Sequence, residues 1–156
     1  MKYELTENTK EFNGITLFQI KALKDFYGIK AGDLGGWIEK ESNLSHEGNA
    51  WVSGNAWVYG NAMVVGNAMV YANAEVSGNA LVFGDAMVYA NAKVSGNAIV
   101  FGDVRVSGNA RVAGEAMVSG NARVSGNAMV FGDAMVAGEA MVSGDVRVAG
   151  NSRTRH

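Results

Sequence analysis

Valine marks the dominant pattern of the chain, because every sixth residue from Val52 to Val148 is valine. Alanine stands two residues before each of these valines, except where Val104 and Val146 take its place. Residues i and i+2 of a β-strand point to the same face, so each Ala and Val pair is expected to point inward. The intervening Gly-Asn pairs favour turns, since both residues tolerate left-handed backbone angles. The pattern predicts short strands joined by tight corners.

A longer period gives the number of strands in one turn of the chain. Residues Asn73–Ala90 closely match residues Asn91–Gly108, a spacing of eighteen residues or three hexapeptides. Repetition at a fixed period is typical of solenoids. Three strands per turn predict a triangular coil, and strands of successive coils would pair at a spacing of about 4.8 Å. The predicted fold class is all-β, a parallel solenoid with 18 residues per coil.

The first part of the chain lacks this repeat. Lys2–Thr6 alternates as a short strand does, Glu7–Lys10 is a polar break, and Asn13-Gly14 is a turn dipeptide. Ile15–Lys24 is predicted as a second strand, with a helix over 18–26 as the alternative. The β-branched start favours a hairpin. Its expected role is to cap the first coil, because a solenoid end exposes apolar core and unpaired backbone groups.

The regular triplets begin at Gly36-Trp37-Ile38 and continue at Ser42-Asn43-Leu44. The middle residue of each triplet, Asn43 included, is expected to point outward. Leu44 and Val52 are eight residues apart, two more than the period. The residues Ser45–Gly48 are therefore predicted to form an enlarged corner.

The phrase Val-x-Gly-Asn-Ala-x resembles the hexapeptide-repeat motif of left-handed parallel β-helix proteins, in which a small residue follows an apolar one four positions later. The resemblance covers residues 36 to about 154. It implies a left-handed coil, whereas physical rules alone favour right-handed crossovers. The predicted domains are a capping hairpin and loop at 1–35 and the β-helix at 36–154. Residues 30–39 and 43–48 resemble hexapeptide-repeat proteins of phages and prophages, which implies such an origin.

The corner residues form three columns when the chain is wound at this period. Asparagine side chains in register are expected to hydrogen-bond along a column, as in Asn55, Asn73, Asn91, Asn109 and Asn127. Some columns contain two adjacent carboxylates, Asp85 with Asp103 and Glu115 with Asp133, and metal binding is the alternative interpretation of these pairs. Two carboxylates per column are fewer than a cation site needs, so no metal is predicted.

One outer face carries a continuous set of apolar residues, here named the apolar stripe. Monomers seldom expose a patch of that kind, and methionine and aromatic residues suit interface cores. The stripe therefore predicts a homo-oligomer, and the alternative is that the N-terminal hairpin covers it. Its residues are Met63, Val65, Leu81, Phe83, Ile99, Phe101 and Met117.

Four basic residues are expected on two faces near the corner at Gly108-Asn109. Arg105 and Arg123 lie on one face, and Lys93 and Arg111 lie on the next. Arginine pairs suit the recognition of phosphate or carboxylate groups. The cluster is a candidate site for a small anionic ligand, and an ordinary solvated surface is the alternative.

Composition excludes several classes of protein. The chain has 156 residues, no cysteine and a net charge of -2, which excludes disulfides and thiolate metal sites and gives no general attraction to nucleic acids or membranes. The N-terminus has no apolar signal segment, and no apolar run is long enough to span a bilayer. A cytoplasmic location is expected, in the host cytosol if the origin is viral.

Hexapeptide proteins include acyl- and acetyltransferases, and such enzymes need a histidine as general base. His46 is the weak candidate, since the second histidine, His156, is terminal. Adjacent Glu47 is a poor orienting group, because consecutive residues in a turn point apart. The leading prediction is a non-enzymatic structural or binding module without a cofactor, which self-associates and binds a host protein or a small anion. An acyltransferase using His46 is the alternative.

Overall fold

The computed structural model of the chain describes residues 1–150 in full and the backbone of the strand Arg153–Arg155. His156 lies outside the described residues. Three strands, β1 (Tyr3–Phe12), β2 (Ile15–Ala22) and β3 (Leu34–Ile38), precede a 3-10 turn at Glu41–Asn43. The remaining strands are two or three residues long: β4 Trp51–Val52, β5 Trp57–Val58, β6 Met63–Val64, β7 Met69–Val70, β8 Glu75–Val76, β9 Leu81–Val82, β10 Met87–Val88, β11 Lys93–Val94, β12 Ile99–Val100, β13 Arg105–Val106, β14 Arg111–Val112, β15 Met117–Val118, β16 Arg123–Val124, β17 Met129–Val130, β18 Met135–Ala137, β19 Met141–Val142, β20 Arg147–Val148 and β21 Arg153–Arg155.

The short strands stack into three sheets, which form the three sides of the coil. Sheet A has the order β1-β2-β3-β5-β8-β11-β14-β17-β20, sheet B runs from β4 through β7, β10, β13 and β16 to β19, and sheet C runs from β6 through β9, β12, β15 and β18 to β21. Strands of successive coils pair in parallel, and paired residues are eighteen apart, as Ile99 and Met117 are. The predicted all-β solenoid with 18 residues per coil is confirmed.

The interior consists of the predicted Ala and Val pairs. Every repeat valine from Val52 to Val136 is fully buried, and so are the alanines that precede them, with Ala80 at 1% exposure. Backbone N–H groups donate to the next coil, for example from Met69 to Ala86 at 2.9 Å. These side chains build the core and contribute nothing to the outer surface, so any surface function depends on the outward positions.

The N-terminal hairpin is confirmed, and it continues sheet A. β1 and β2 pair antiparallel around Asn13 and Gly14, whose φ angles of 49° and 81° suit a tight turn. The expected polar break at Glu7–Lys10 is wrong, because β1 continues through it and only a bulge between Leu5 and Thr9 shifts the register. β2 then pairs with β3, and β3 pairs with β5, so hairpin and solenoid share one sheet.

The first coil is longer than the others. Trp37 pairs with Trp57 and Leu44 with Val64, twenty residues apart, which confirms the two extra residues inferred from the sequence. The outward orientation expected for Asn43 is wrong, because its side chain is fully buried in the 3-10 turn. Trp51 is also buried, since Tyr3 and Phe26 cover its ring at centroid distances of 6.3 and 5.3 Å.

The corners carry the predicted hydrogen-bonded columns. The Asn55 amide donates to Asn73 at 3.3 Å, and the same bond recurs from coil to coil as far as Asp145. Most corners begin with a glycine at positive φ, such as Gly126 at 65°. Two corners instead place alanine there, Ala72 and Ala90, each with φ of 60°. Within residues 1–150, no helix is long and apolar enough to cross a membrane.

These two alanines give a first testable expectation. Ala72→Gly should raise the free energy of unfolding by about 0.5–1 kcal/mol, because relief of left-handed strain exceeds the added freedom of the unfolded chain. Gly126→Ala should lower it by about 1–2 kcal/mol or more, since a β-carbon there would lie 2.7 Å from the Gly144 backbone nitrogen. Urea unfolding of both variants measures the two changes. Equal changes of the same sign would contradict this account of the corners.

Candidate functional site

The apolar stripe lies on sheet C, as the repeat predicts. Its first residue, Met63, is 44% exposed, and the residues after it are half-buried by their neighbours in the stack. Phe83 and Phe101 stack face to face with centroids 4.9 Å apart. The hairpin packs elsewhere, because Phe12 contacts Trp57 and Tyr59 at centroid distances of 4.8 and 5.8 Å. The alternative in which the hairpin covers the stripe is thus not the arrangement of this chain.

The four basic residues of the candidate anion site separate into two pairs. Lys93 and Arg111 are paired neighbours on sheet A, and Arg105 and Arg123 are paired neighbours on sheet B. All four are exposed. Lys93 lies 3.3 Å from the carboxylate of Glu75. Among the side chains that the structure describes, the three arginines have no carboxylate within 4.0 Å. Their role in anion binding stays a prediction.

His46 is held by contacts on both ring nitrogens. Nδ1 accepts a hydrogen bond from the backbone N–H of Lys2 at 3.2 Å, and Nε2 lies 2.8 Å from Glu41 Oε1. The ring also stacks on Tyr3, with centroids 4.0 Å apart and planes 11° apart. An imidazole arranged in this way donates through Nε2 and has its Nδ1 lone pair occupied. His46 therefore fastens the N-terminus to the enlarged corner, and Glu41 rather than Glu47 orients it.

Lys2 lies beside His46 and covers the N-terminal end of the solenoid. Its ammonium donates to the carbonyl of Ala50 at 2.6 Å and lies 5.1 Å from the centre of the Phe26 ring. Burial, with a smaller contribution from the charge of Lys24, lowers the pKa of Lys2 to about 8. Tyr3 donates to the carbonyl of Leu44 at 2.6 Å, and burial raises its pKa well above the ordinary value. This network is a structural cap.

The hairpin tip forms an aromatic cluster over sheet A that the sequence did not reveal. Lys10 lies over the rings of Trp37 and Trp57, at 4.3 and 5.9 Å from their centres. Cation–π contacts of this length are attractive. The indole N–H of Trp57 is shielded and has no hydrogen-bond partner among the described residues.

A groove extends from this aromatic cluster along sheet A, and it is named the hairpin groove. Its volume is about 390 Å³, and a second pocket of about 210 Å³ lies on the other side of Trp57 and Glu75. The groove has an aromatic end, a carboxylate in the middle and a cation at the far end. Its lining residues are Phe12, Trp57, Tyr59, Glu75, Ser77, Lys93 and Ser95.

Two carboxylates of the corner columns border a pocket on sheet B. Asp85 and Asp103 line a third pocket of about 270 Å³ together with Tyr27 and Arg105. Within residues 1–150, no group of three or more His, Cys, Asp or Glu side chains has the arrangement of a metal site. Arg105 lines the same pocket but makes no ion pair within 4.0 Å with either carboxylate.

Three sheets of parallel strands from successive coils, with a capping hairpin, define the chain as a β-solenoid repeat protein. Comparison with known families agrees: residues 56–71, 92–107, 104–120, 116–130 and 122–138 match the YdcK β-solenoid repeat. The chain is also similar to the uncharacterized acetyltransferase YdcK of Escherichia coli (strain K12), with 39% identity over 59 residues. That similarity covers 33% of this chain and 18% of the length of YdcK. The shared segment is thus a small part of that protein.

Proposed function

We propose that the protein is a non-enzymatic structural module that self-associates through the apolar stripe. The observation that carries the proposal is the position of the stripe on sheet C, away from the hairpin that packs on sheet A. Outward residues of this sheet from Met63 to Ala137 carry no charge. Burial of such a face is favourable at about 25 cal/mol per Å² of apolar surface.

A second copy of the chain suits this face. Paired strands of successive coils, here called rungs, lie about 4.8 Å apart. The rows of side chains on one stripe therefore fit into the grooves between the rows of an identical stripe. The flanking sheets differ from it, because they carry lysine, arginine and glutamate at outward positions. Charges at an interface core are unfavourable unless paired, which leaves sheet C as the face that two copies can share.

Light scattering after size-exclusion chromatography tests the proposal. At low micromolar concentration the parent chain should have the mass of a dimer or a larger oligomer. Phe101→Lys should weaken association about 100-fold, because it buries a charge opposite an apolar surface. Ser125→Lys, an outward position on sheet B, should leave the mass unchanged. A monomeric parent chain would disprove self-association.

An acyltransferase is the second candidate, and the similarity to YdcK, which is named an uncharacterized acetyltransferase, favours it. The environment of His46 opposes it, since both ring nitrogens are occupied within the chain. A general base needs a free lone pair that faces its substrate. Saturable binding of acetyl-CoA that is lost in His46→Ala would support the enzyme. Absence of acetyl-CoA binding, or binding that His46→Ala leaves intact, would support the module.

The same proposal includes a phage or prophage origin. In the host cytosol, the module would capture a host protein or a small anion. The resemblance of residues 30–39 and 43–48 supports the origin. The exposed pairs Lys93 with Arg111 and Arg105 with Arg123 support the anion. A rigid coil is suited to such capture, because its surface side chains are held in register before the ligand arrives.

A further inference from the structure

We infer that the hairpin groove, together with Arg111 beyond it, binds a nucleotide: a planar aromatic base joined to a phosphate group. The inference concerns sheet A: it rests on the capture of an anion proposed above for Lys93 and Arg111, names the class of that ligand, and does not depend on self-association through sheet C. It rests on the order of aromatic, acidic and basic side chains along one row of outward residues on sheet A. That order is Trp57, Glu75, Lys93 and Arg111, each paired with the next in the parallel register.

The aromatic end of the groove suits a flat ring. Phe12 and Tyr59 border Trp57, and Lys10 covers part of the tryptophan face. Stacking of a base on an aromatic side chain is worth about 1–3 kcal/mol and does not depend on the identity of the base. The volume of about 390 Å³ is in the range of small-ligand sites, which is about 300–1,000 Å³. The groove can therefore hold one ring with its attached sugar.

The middle of the groove selects a ring with hydrogen-bond donors. The carboxylate of Glu75 lies one rung from Trp57 and accepts hydrogen bonds only. Ser77 and Ser95 line the same wall and can donate or accept. An exocyclic amino group of a nucleobase satisfies Glu75, whereas the unsubstituted edge of a phenyl ring does not. This distinguishes a nucleotide from a phosphotyrosine side chain.

The far end of the groove suits a phosphate group. Lys93 and Arg111 are adjacent rungs, about 4.8 Å apart, and Glu75 neutralises only the first of them, at 3.3 Å. Arg111 is exposed and has no carboxylate within 4.0 Å among the described side chains. Arginine binds phosphate in a bidentate manner. From Trp57 to Arg111 is three rungs, or about 14 Å, which an extended nucleotide can bridge.

Titration calorimetry with adenosine 5′-monophosphate tests this inference, with adenosine, inorganic phosphate and phosphotyrosine as separate probes. The nucleotide should bind at least about 10-fold more tightly than any of the other three, because it alone satisfies both ends and Glu75. Arg111→Gln should weaken nucleotide binding about 10-fold. Arg147→Gln is the matched control, since Arg147 is another exposed arginine of sheet A, two coils beyond Arg111 and outside the proposed site, and it should change binding less than about two-fold.

Three outcomes would overturn the inference, and a fourth concerns phosphotyrosine. The three are no binding of the nucleotide at millimolar concentration, inorganic phosphate binding as tightly as the nucleotide, and equal losses in Arg111→Gln and Arg147→Gln. The same titration on Phe101→Lys separates the two proposals, because loss of self-association there should leave nucleotide binding intact. Binding of phosphotyrosine equal to that of the nucleotide would assign the groove to a phosphorylated protein and would also overturn the inference.

Discussion

Replacement of Asn43 by alanine is expected to lower the free energy of unfolding by about 3–5 kcal/mol. The buried side chain satisfies four backbone groups. Oδ1 accepts from the N–H groups of Glu39 and Lys40 at 3.1 and 2.9 Å, and Nδ2 donates to the carbonyls of Gly60 and Ala62 at 3.1 and 2.8 Å. Each buried group left unpaired costs about 1–3 kcal/mol, and partial hydration reduces the sum.

The carbonyls of Gly60 and Ala62 need the Asn43 side chain because the backbone hydrogen bonding between successive coils is interrupted there. Glu39 donates to Val58 and Ser45 donates to Val64, so the backbone between them should supply Gly60 and Ala62. The 3-10 turn diverts it instead, and the N–H of Asn43 donates to Lys40. The asparagine amide replaces the two missing backbone donors.

Asn79→Ala is the matched control for this measurement. Asn79 is an exposed member of a corner column that accepts from Asn61 at 3.2 Å and donates to Asn97 at 3.1 Å. Its loss should cost less than about 1 kcal/mol, because water replaces both partners. Urea unfolding at one pH compares the two variants. Equal losses in both would show that burial of Asn43 contributes nothing special to the first coil.

The stability of the parent chain is expected to rise by about 2 kcal/mol between pH 8 and pH 10. The pKa of Lys2 is 10.5 in a model peptide and about 8 in the folded chain, because burial disfavours its charge. Between these values the unfolded chain binds more protons than the folded chain, so stability increases with pH. One pKa unit corresponds to about 1.4 kcal/mol.

The upper limit of this window is set by Tyr3. Its pKa is raised by burial and by the carboxylate of Glu41, so above pH 10 the unfolded chain releases this proton first and stability falls again. Lys2→Met keeps the volume of the side chain and removes its titration. The variant should therefore show a nearly flat stability between pH 8 and pH 10. A flat profile in the parent chain, or the same slope in both, would contradict this role of Lys2.

The solenoid could be predicted from the sequence because its rule is local and repeated. The spacing of valine and alanine determines which side chains point inward, and the match between Asn73–Ala90 and Asn91–Gly108 determines the coil. The two extra residues before Val52 correctly located the enlarged corner. The outward ladders on each sheet followed from the same periodicity, so the apolar stripe was also predictable.

The cap and the hairpin groove could not be predicted, because they depend on contacts between distant residues. Nothing near Phe12 indicates that it meets Trp57, forty-five residues later. Asn43 occupies a position that is outward in every regular triplet, and only the diversion of the 3-10 turn buries it. The partners of His46 could not be identified from the sequence either, since Lys2 lies 44 residues before it and Tyr3 follows Lys2.

Packing of two copies through the apolar stripe is tested most directly by cysteine cross-linking, because the chain contains no cysteine of its own. Single cysteines are placed in the stripe at Val65, Phe83 or Phe101, with Ser95 on sheet A and Ser125 on sheet B as controls. A short bis-maleimide should join two chains through at least one stripe position and through neither control. Cross-linking at the controls as efficient as in the stripe, or none at any position, would contradict self-association through sheet C.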